Sequence, residues 1–141
     1  MNFISKISPE WSLRVGIGIM YLHSGFDILF HPTAWHWALP YWLQQMIGAV
    51  MPIDTYLRVQ GAIELAMAFF LLAWFLKKDT LVQYIALLST LEMAAILFLA
   101  FVPWNEANFS ITFRDIGLLG GSLALASILF QKERPLLSTS Q

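Results

Sequence analysis

Glu64 and Glu92 lie deep within uninterrupted apolar runs, and Asp27 lies near the end of another. A carboxylate in hydrocarbon is costly, so such a group usually faces a bundle interior or a cavity, beside a cation or holding a proton. The chemistry these residues allow is proton exchange or direct contact with a ligand. Helical spacing selects their neighbours. His23 and Asp27 are i,i+4, as are Gln60 and Glu64, while Ser89 precedes Glu92 by three. Gly61 falls one turn before Glu64. Arg114 shares a face with Gly117 and Gly121, a small-xxx-small pair that lets another helix approach. Arg114 is therefore expected to point inward, where a guanidinium can bridge a carboxylate bidentately.

Each of these residues also has a structural reading. Asp115 is the acid of a capping box opened by Thr112, Asp54 is an N-cap, and Arg58 snorkels to the interface. His23 and Asp27 form a satisfied pair rather than a relay. Glu64 and Glu92 are either functional groups or members of a structural network with Arg58 and Arg114.

Four apolar stretches must position these groups, at about residues 9–30, 55–76, 80–102 and 112–130. Each approaches or exceeds the roughly 20 helical residues that cross a hydrocarbon layer of about 30 Å. Ser8-Pro9-Glu10 supplies an N-cap, a proline at the first helical position and a first-turn acid. Asp79 or Thr80 caps the third helix after a tight Lys77-Lys78-Asp79 turn. The expected fold is a single all-α integral membrane domain over residues 1–141. It is an up-down-up-down bundle of four transmembrane helices with an interfacial segment at 32–52.

That segment carries Trp35, Trp37, Tyr41 and Trp42 in quick succession, residues that favour the headgroup level. It reads as a short interfacial helix, broken at Pro40 and ended near Pro52, serving as an aromatic anchor or as a lid. Trp104 adds to the same belt. Lys6, Lys77, Lys78, Lys132 and Arg134 all fall on one side of a four-pass chain, whereas residues 31–54 and 103–111 hold no Lys or Arg. The positive-inside rule then places both termini in the cytoplasm, with the protein in the inner membrane. The first apolar run lacks a small-x-small cleavage site and is read as a retained helix.

Glu64 and Glu92 sit about 15 Å from the outer ends of their helices. With His23, Asp27, Arg58, Arg114 and Asp115 they gather seven ionisable groups in the outer half. The inner half holds mainly Arg14. The composition excludes several other classes. The chain is 58% hydrophobic and 12% charged, with a net charge of -1 and no basic run, which leaves no footprint for nucleic acid. With no cysteine it has no thiol exchange, iron–sulfur cluster or cysteine-held zinc. No metal site is expected. His31 and His36 lie in the outer connection, so haem held between transmembrane histidines needs a second chain or a methionine.

Three segments carry a family resemblance. Arg14-x-Gly16-x-Gly18, running to Ser24-Gly25-Phe26-Asp27, resembles the first helix of the DoxX-like small membrane proteins. The stretch Val59-Gln60-Gly61-Ala62-Ile63-Glu64-Leu65 is similar to their second helix with its intramembrane glutamate. Arg114-Asp115-Ile116-Gly117, continuing to Gly120-Gly121, resembles the glycine-rich start of their last helix. Asp27 departs from the pattern, standing where that family often has a lysine. The resemblance implies a membrane subunit or accessory of a redox system linked to quinones, or a role in membrane-protein assembly, with Glu64 the position of most interest.

The expectation is that the chain sits in the lipid bilayer and binds a quinone or similar lipophile near the carboxylate and arginine cluster. It carries no intrinsic cofactor. Its partner is a redox subunit or a second copy of itself. An assembly or interaction module, or a small transporter, are the other readings. Catalysis by the isolated chain is not expected, because it has no glycine-rich dinucleotide loop and no CxxC.

Overall fold

Ser8 accepts the Trp11 amide hydrogen at 3.4 Å, Pro9 needs no hydrogen-bond partner for its nitrogen, and Glu10 sits in the first turn. Helix α1 starts there and runs Pro9–Phe30. A computed structural model describes residues 7–74, 79–101 and 109–132. The expectations resting on Lys6, Lys77, Lys78, Trp104 and Arg134 lie outside the described residues.

The polypeptide after α1 forms a 3-10 helix, Pro32–Ala38, followed by α2, Tyr41–Gly48. The break at Leu39-Pro40 follows from proline, which disfavours helical geometry in the residue before it. Helix α2 buries none of its residues, and Tyr41 and Met46 stand well exposed. Helix α3, Ile53–Leu72, starts two residues before the sequence expectation. Pro52 sets that start: its carbonyl accepts from Thr55 and Tyr56 at 3.0 and 3.1 Å. Asp54 is consequently a first-turn residue and not the N-cap. The helix also ends earlier than expected, where Ala73 turns to ψ 84°.

Helix α4 spans Asp79–Phe101 and α5 spans Phe109–Lys132. Because α5 begins a turn before Thr112, Thr112 lies inside the helix and cannot open a capping box with Asp115.

Helices α1 and α3 run antiparallel. Gly25 and Gly61 face each other so closely that a Cβ on Gly61 would stand 2.8 Å from the Gly25 carbonyl oxygen and from the Leu29 nitrogen. Near one end of the pair, Arg14 Nε donates to the Leu71 carbonyl at 2.9 Å. Near the other, Arg58 Nη1 donates to the Leu29 carbonyl at 2.8 Å. Helices α4 and α5 are also antiparallel, joined by Ser89–Ser122 at 3.0 Å and by Gln83 Nε2 donating to the Leu129 carbonyl at 3.0 Å. Ile17, Tyr21, Met67, Leu71, Leu125 and Leu129 fill the interior between the two pairs.

Large apolar side chains also cover the outside, Ile19, Phe26, Phe69, Leu91 and Phe98 among them, each at least half exposed. Among the described residues three helical stretches, Pro9–Phe30, Ile53–Leu72 and Thr80–Phe101, are long and apolar enough to cross a membrane. The described residues are helical throughout their regular elements and contain no strand. This is an all-α architecture of the kind membrane proteins use, since a helix satisfies its own backbone groups.

Glycine at 61 answers to backbone, and backbone cannot step aside. We expect Gly61→Ala to cost about 1–3 kcal/mol by overpacking. Gly117→Ala, whose added carbon meets nothing within 4 Å, should leave the melting temperature unchanged or slightly raised. Thermal melts of both variants in detergent check this. Equal effects would contradict the α1–α3 contact.

Candidate functional site

Glu64 comes from the middle of α3 and is only 6% exposed. The Gly25–Gly61 approach brings α1 close enough for the Ser24 hydroxyl to donate to Glu64 Oε2. One turn before Glu64, Gln60 Nε2 reaches across to α4 and donates to Glu92 Oε1. Gln60 also neighbours Glu64, so the amide stands between the two acids. Glu92 Oε2 is buried and has no hydrogen-bond partner.

Glu92 also faces Tyr21, a fully buried residue of α1. The Tyr21 hydroxyl donates to Ser89 Oγ at 2.9 Å, Ser89 meets Ser122 at 3.0 Å, and Ser122 donates to the Leu118 carbonyl at 2.9 Å. One polar network thus draws on α1, α3, α4 and α5. Among the described residues its two acids have no cation. Among the described residues, ion pairs form at Glu10–Arg14, Glu10–Lys132, Asp27–His31, Asp54–His36 and Asp115–Arg114, and none involves Glu64 or Glu92.

The arginines expected to serve these acids lie elsewhere. Arg58 is exposed and satisfies a carbonyl in the last turn of α1, where helix carbonyls lack intrahelical donors and a cation is favoured. The Arg114 side chain is 71% exposed and, among the described residues, bonds its neighbour, Nε to Asp115 Oδ1 at 3.2 Å. Adjacent helical positions do not share a face, so burying Asp115 turns Arg114 outward. Gly117 lies open, and a Cβ on Gly121 would meet only Leu13 Cδ2 at 3.9 Å. The close helix approach is therefore at Gly61 with Gly25, not on α5.

Asp27 pairs away from His23. Its carboxylate accepts from Trp35 Nε1 at 2.8 Å and meets His31 Nδ1 at 3.1 Å, because the 3-10 helix folds back over the end of α1. His23 is exposed on α1. A second clasp holds the same segment to α3, His36 Nε2 to Asp54 Oδ1 at 2.7 Å. Trp35 and Trp37 stack at 6.1 Å between ring centroids. The segment is tied down by two histidine–aspartate contacts at one end of the molecule.

At the opposite end, Arg14 is buried, lies 4.0 Å over the Trp11 ring and pairs with Glu10 at 3.4 Å. Tyr21, Ser24 and Ser122 were not singled out as site residues from sequence. Tyr21 and Ser24 are three apart and share a face of α1, but a hydroxyl in an apolar run carries no sign of the partner it will meet. Among the described residues no group of three or more His, Asp and Glu side chains could hold a metal ion.

No protein-family model, curated protein or solved structure matches this chain.

An outward Arg114 gives a clear expectation. Arg114→Ala should shift stability by no more than about 1 kcal/mol, the range of exposed ion pairs. A melt lowered by several times that amount would show that Arg114 supports a buried charge.

Proposed function

We propose that the chain is a four-pass inner-membrane protein of the DoxX-like kind that binds a lipophilic ligand, of the quinone class, beside Glu64 and Glu92. The four crossings are α1, α3, α4 and α5 in up-down-up-down order, with both termini cytoplasmic and residues 31–54 on the outer face. The protein serves as a subunit or accessory of a membrane redox system, with the redox cofactor in a partner.

One observation carries this reading. Two carboxyl groups meet through Gln60 inside an apolar bundle with no ion-pair partner among the described residues, and a buried oxygen of Glu92 is left without a hydrogen bond. A structural ion network would need a cation there, and the two candidate arginines face elsewhere. A carboxyl group in hydrocarbon without a cation is held at least cost with a proton on it, and such a group can exchange that proton with a bound ligand. The quinone class comes from the family resemblance. The membrane assignment is supported by the three long apolar helices, the orientation by the distribution of lysine and arginine along the chain.

A second reading, an assembly or interaction module without a ligand, is favoured by the way the polar network ties α1, α3, α4 and α5 to one another. Mass spectrometry of material retained through gentle detergent purification separates the two. A lipophile bound to the wild type and depleted in Glu64→Gln supports the ligand reading. An empty wild type, with Glu64→Gln merely less stable, moves the assignment to the assembly module.

A further inference from the structure

Trp35 and His36 are neighbours on the 3-10 helix Pro32–Ala38, and each is bonded to a different long helix. Trp35 Nε1 donates to Asp27 Oδ2 on α1 at 2.8 Å, and His36 Nε2 meets Asp54 Oδ1 on α3 at 2.7 Å. Successive residues of a 3-10 helix point about 120° apart, so the two side chains straddle the groove between α1 and α3. Gln44 of α2 donates to the His36 and Leu39 carbonyls at 2.9 and 2.8 Å, which makes the 3-10 helix and α2 one unit. At this end Ile28 and Leu57 are each only 4% exposed, although they lie near the ends of α1 and α3, and Pro32 is buried too. Ser24, which donates to Glu64, lies one turn inward from Asp27 and Ile28 on α1.

The two attachments differ in what can undo them. An indole N–H keeps its hydrogen, whereas an imidazole gains or loses a charge between about pH 5 and 8. Protonated, His36 makes an ion pair with Asp54. Neutral, it still offers one hydrogen to the same oxygen, but the charge attraction is gone. The His36 and Asp54 side chains are 39% and 44% exposed, so solvent protons reach them. Residues 32–48 hold no Lys, Arg, Asp or Glu, and His36 is their one histidine. The neighbouring elements supply the other groups. His31 belongs to the end of α1: its backbone N–H donates to the Asp27 carbonyl at 2.7 Å and its ring meets Asp27 Oδ1 at 3.1 Å. His23 lies one turn before Asp27, and Arg58, one turn after Asp54, is engaged with the Leu29 carbonyl. Tyr41 of α2 and Tyr56 of α3 add phenols.

We propose that residues 32–48 form a strap across the α1–α3 end with His36–Asp54 as its release. The strap is held when His36 is charged and loosens as His36 loses its proton, so it is tightest on the acid side of neutrality. Loosening uncovers the end of the groove that leads, one turn in, to Ser24 and Glu64, and the strap thereby regulates entry to that site. The regulation rests on the ligand reading above; the latch itself does not.

Hydrogen exchange of the full chain in lipid nanodiscs, read by mass spectrometry and corrected for the intrinsic effect of pH on amide exchange, follows the strap directly. The Ala34 and Leu39 amides are closed onto the His31 and His36 carbonyls. Their segment should be roughly threefold better protected at about pH 5.5 than at about pH 8, the scale of a half-exposed ion pair. His36→Gln and Asp54→Asn should each erase that ratio, whereas Asp27→Asn lowers protection at both pH values and keeps it. Equal protection of the wild type at the two pH values overturns the latch, as does a ratio that survives His36→Gln or that His31→Gln removes. Uptake of a short-chain benzoquinone is timed on the same samples. Uptake that is faster at the higher pH, and pH-independent in His36→Gln, supports control of entry. Equal uptake rates beside an intact protection ratio overturn the regulation and keep the latch. An intact ratio with no quinone bound at either pH supports the latch and counts against the ligand reading alone.

Discussion

The approach of α1 to α3 at Gly25 and Gly61 governs what the rest of the molecule can do. With no side chain on either glycine, the two backbones come within contact distance, and a single methyl group at 61 would meet the Gly25 carbonyl and the Leu29 nitrogen at 2.8 Å. In lipid, where helices gain little from burying apolar surface against each other, such close approach is a main source of association. Its consequences run along the pair. It carries Ser24 to Glu64, sets Arg58 under the Leu29 carbonyl, and leaves Arg14 on the Leu71 carbonyl at the other end.

The second pair brings hydroxyls where the first brings acids. Ser89 and Ser122 join α4 to α5, and Tyr21 and Gln60 reach over from α1 and α3. Tyr21, Ser89 and Ser122 are fully buried, and their hydroxyls pair with one another. Among the described residues the two carboxyls have no cation, and amide and hydroxyl groups supply the hydrogen bonds they do make. The cations go to the helix ends instead, Arg58 to the Leu29 carbonyl of α1 and Arg14 to Glu10 and Leu71.

Much of the scaffold was legible in the sequence because local chemistry decides it. Ser8-Pro9-Glu10 and His31-Pro32 bound α1 at the residues expected, and Pro40 breaks the outer segment where expected. Boundaries failed where two signals competed. Pro52 outcompeted Asp54 as the start of α3, and α5 began before the capping box proposed at Thr112. The candidate site was legible by residue but not by partner. Spacing placed Gln60 with Glu64 and Ser89 with Glu92 on shared faces, yet i,i+4 geometry says nothing about what a face meets. Asp27 chose Trp35 and His31 over His23 because the chain folds back at Pro32, a long-range event with no local signature. Arg114 was misread because glycines at 117 and 121 suggested a contact face, when the buried neighbour is Asp115 and the arginine points away from it.

The central claim is that Glu64 and Glu92 are buried without cation partners among the described residues, and the double variant Glu64→Gln/Glu92→Gln tests it most directly. Amides of the same shape remove two acids and no ion pair. Thermal and denaturant melts in nanodiscs should place the double variant at or above the wild type. A loss of about 3–5 kcal/mol, the cost of stranding a buried cation, would contradict the account and show that an arginine or lysine does pair with these acids.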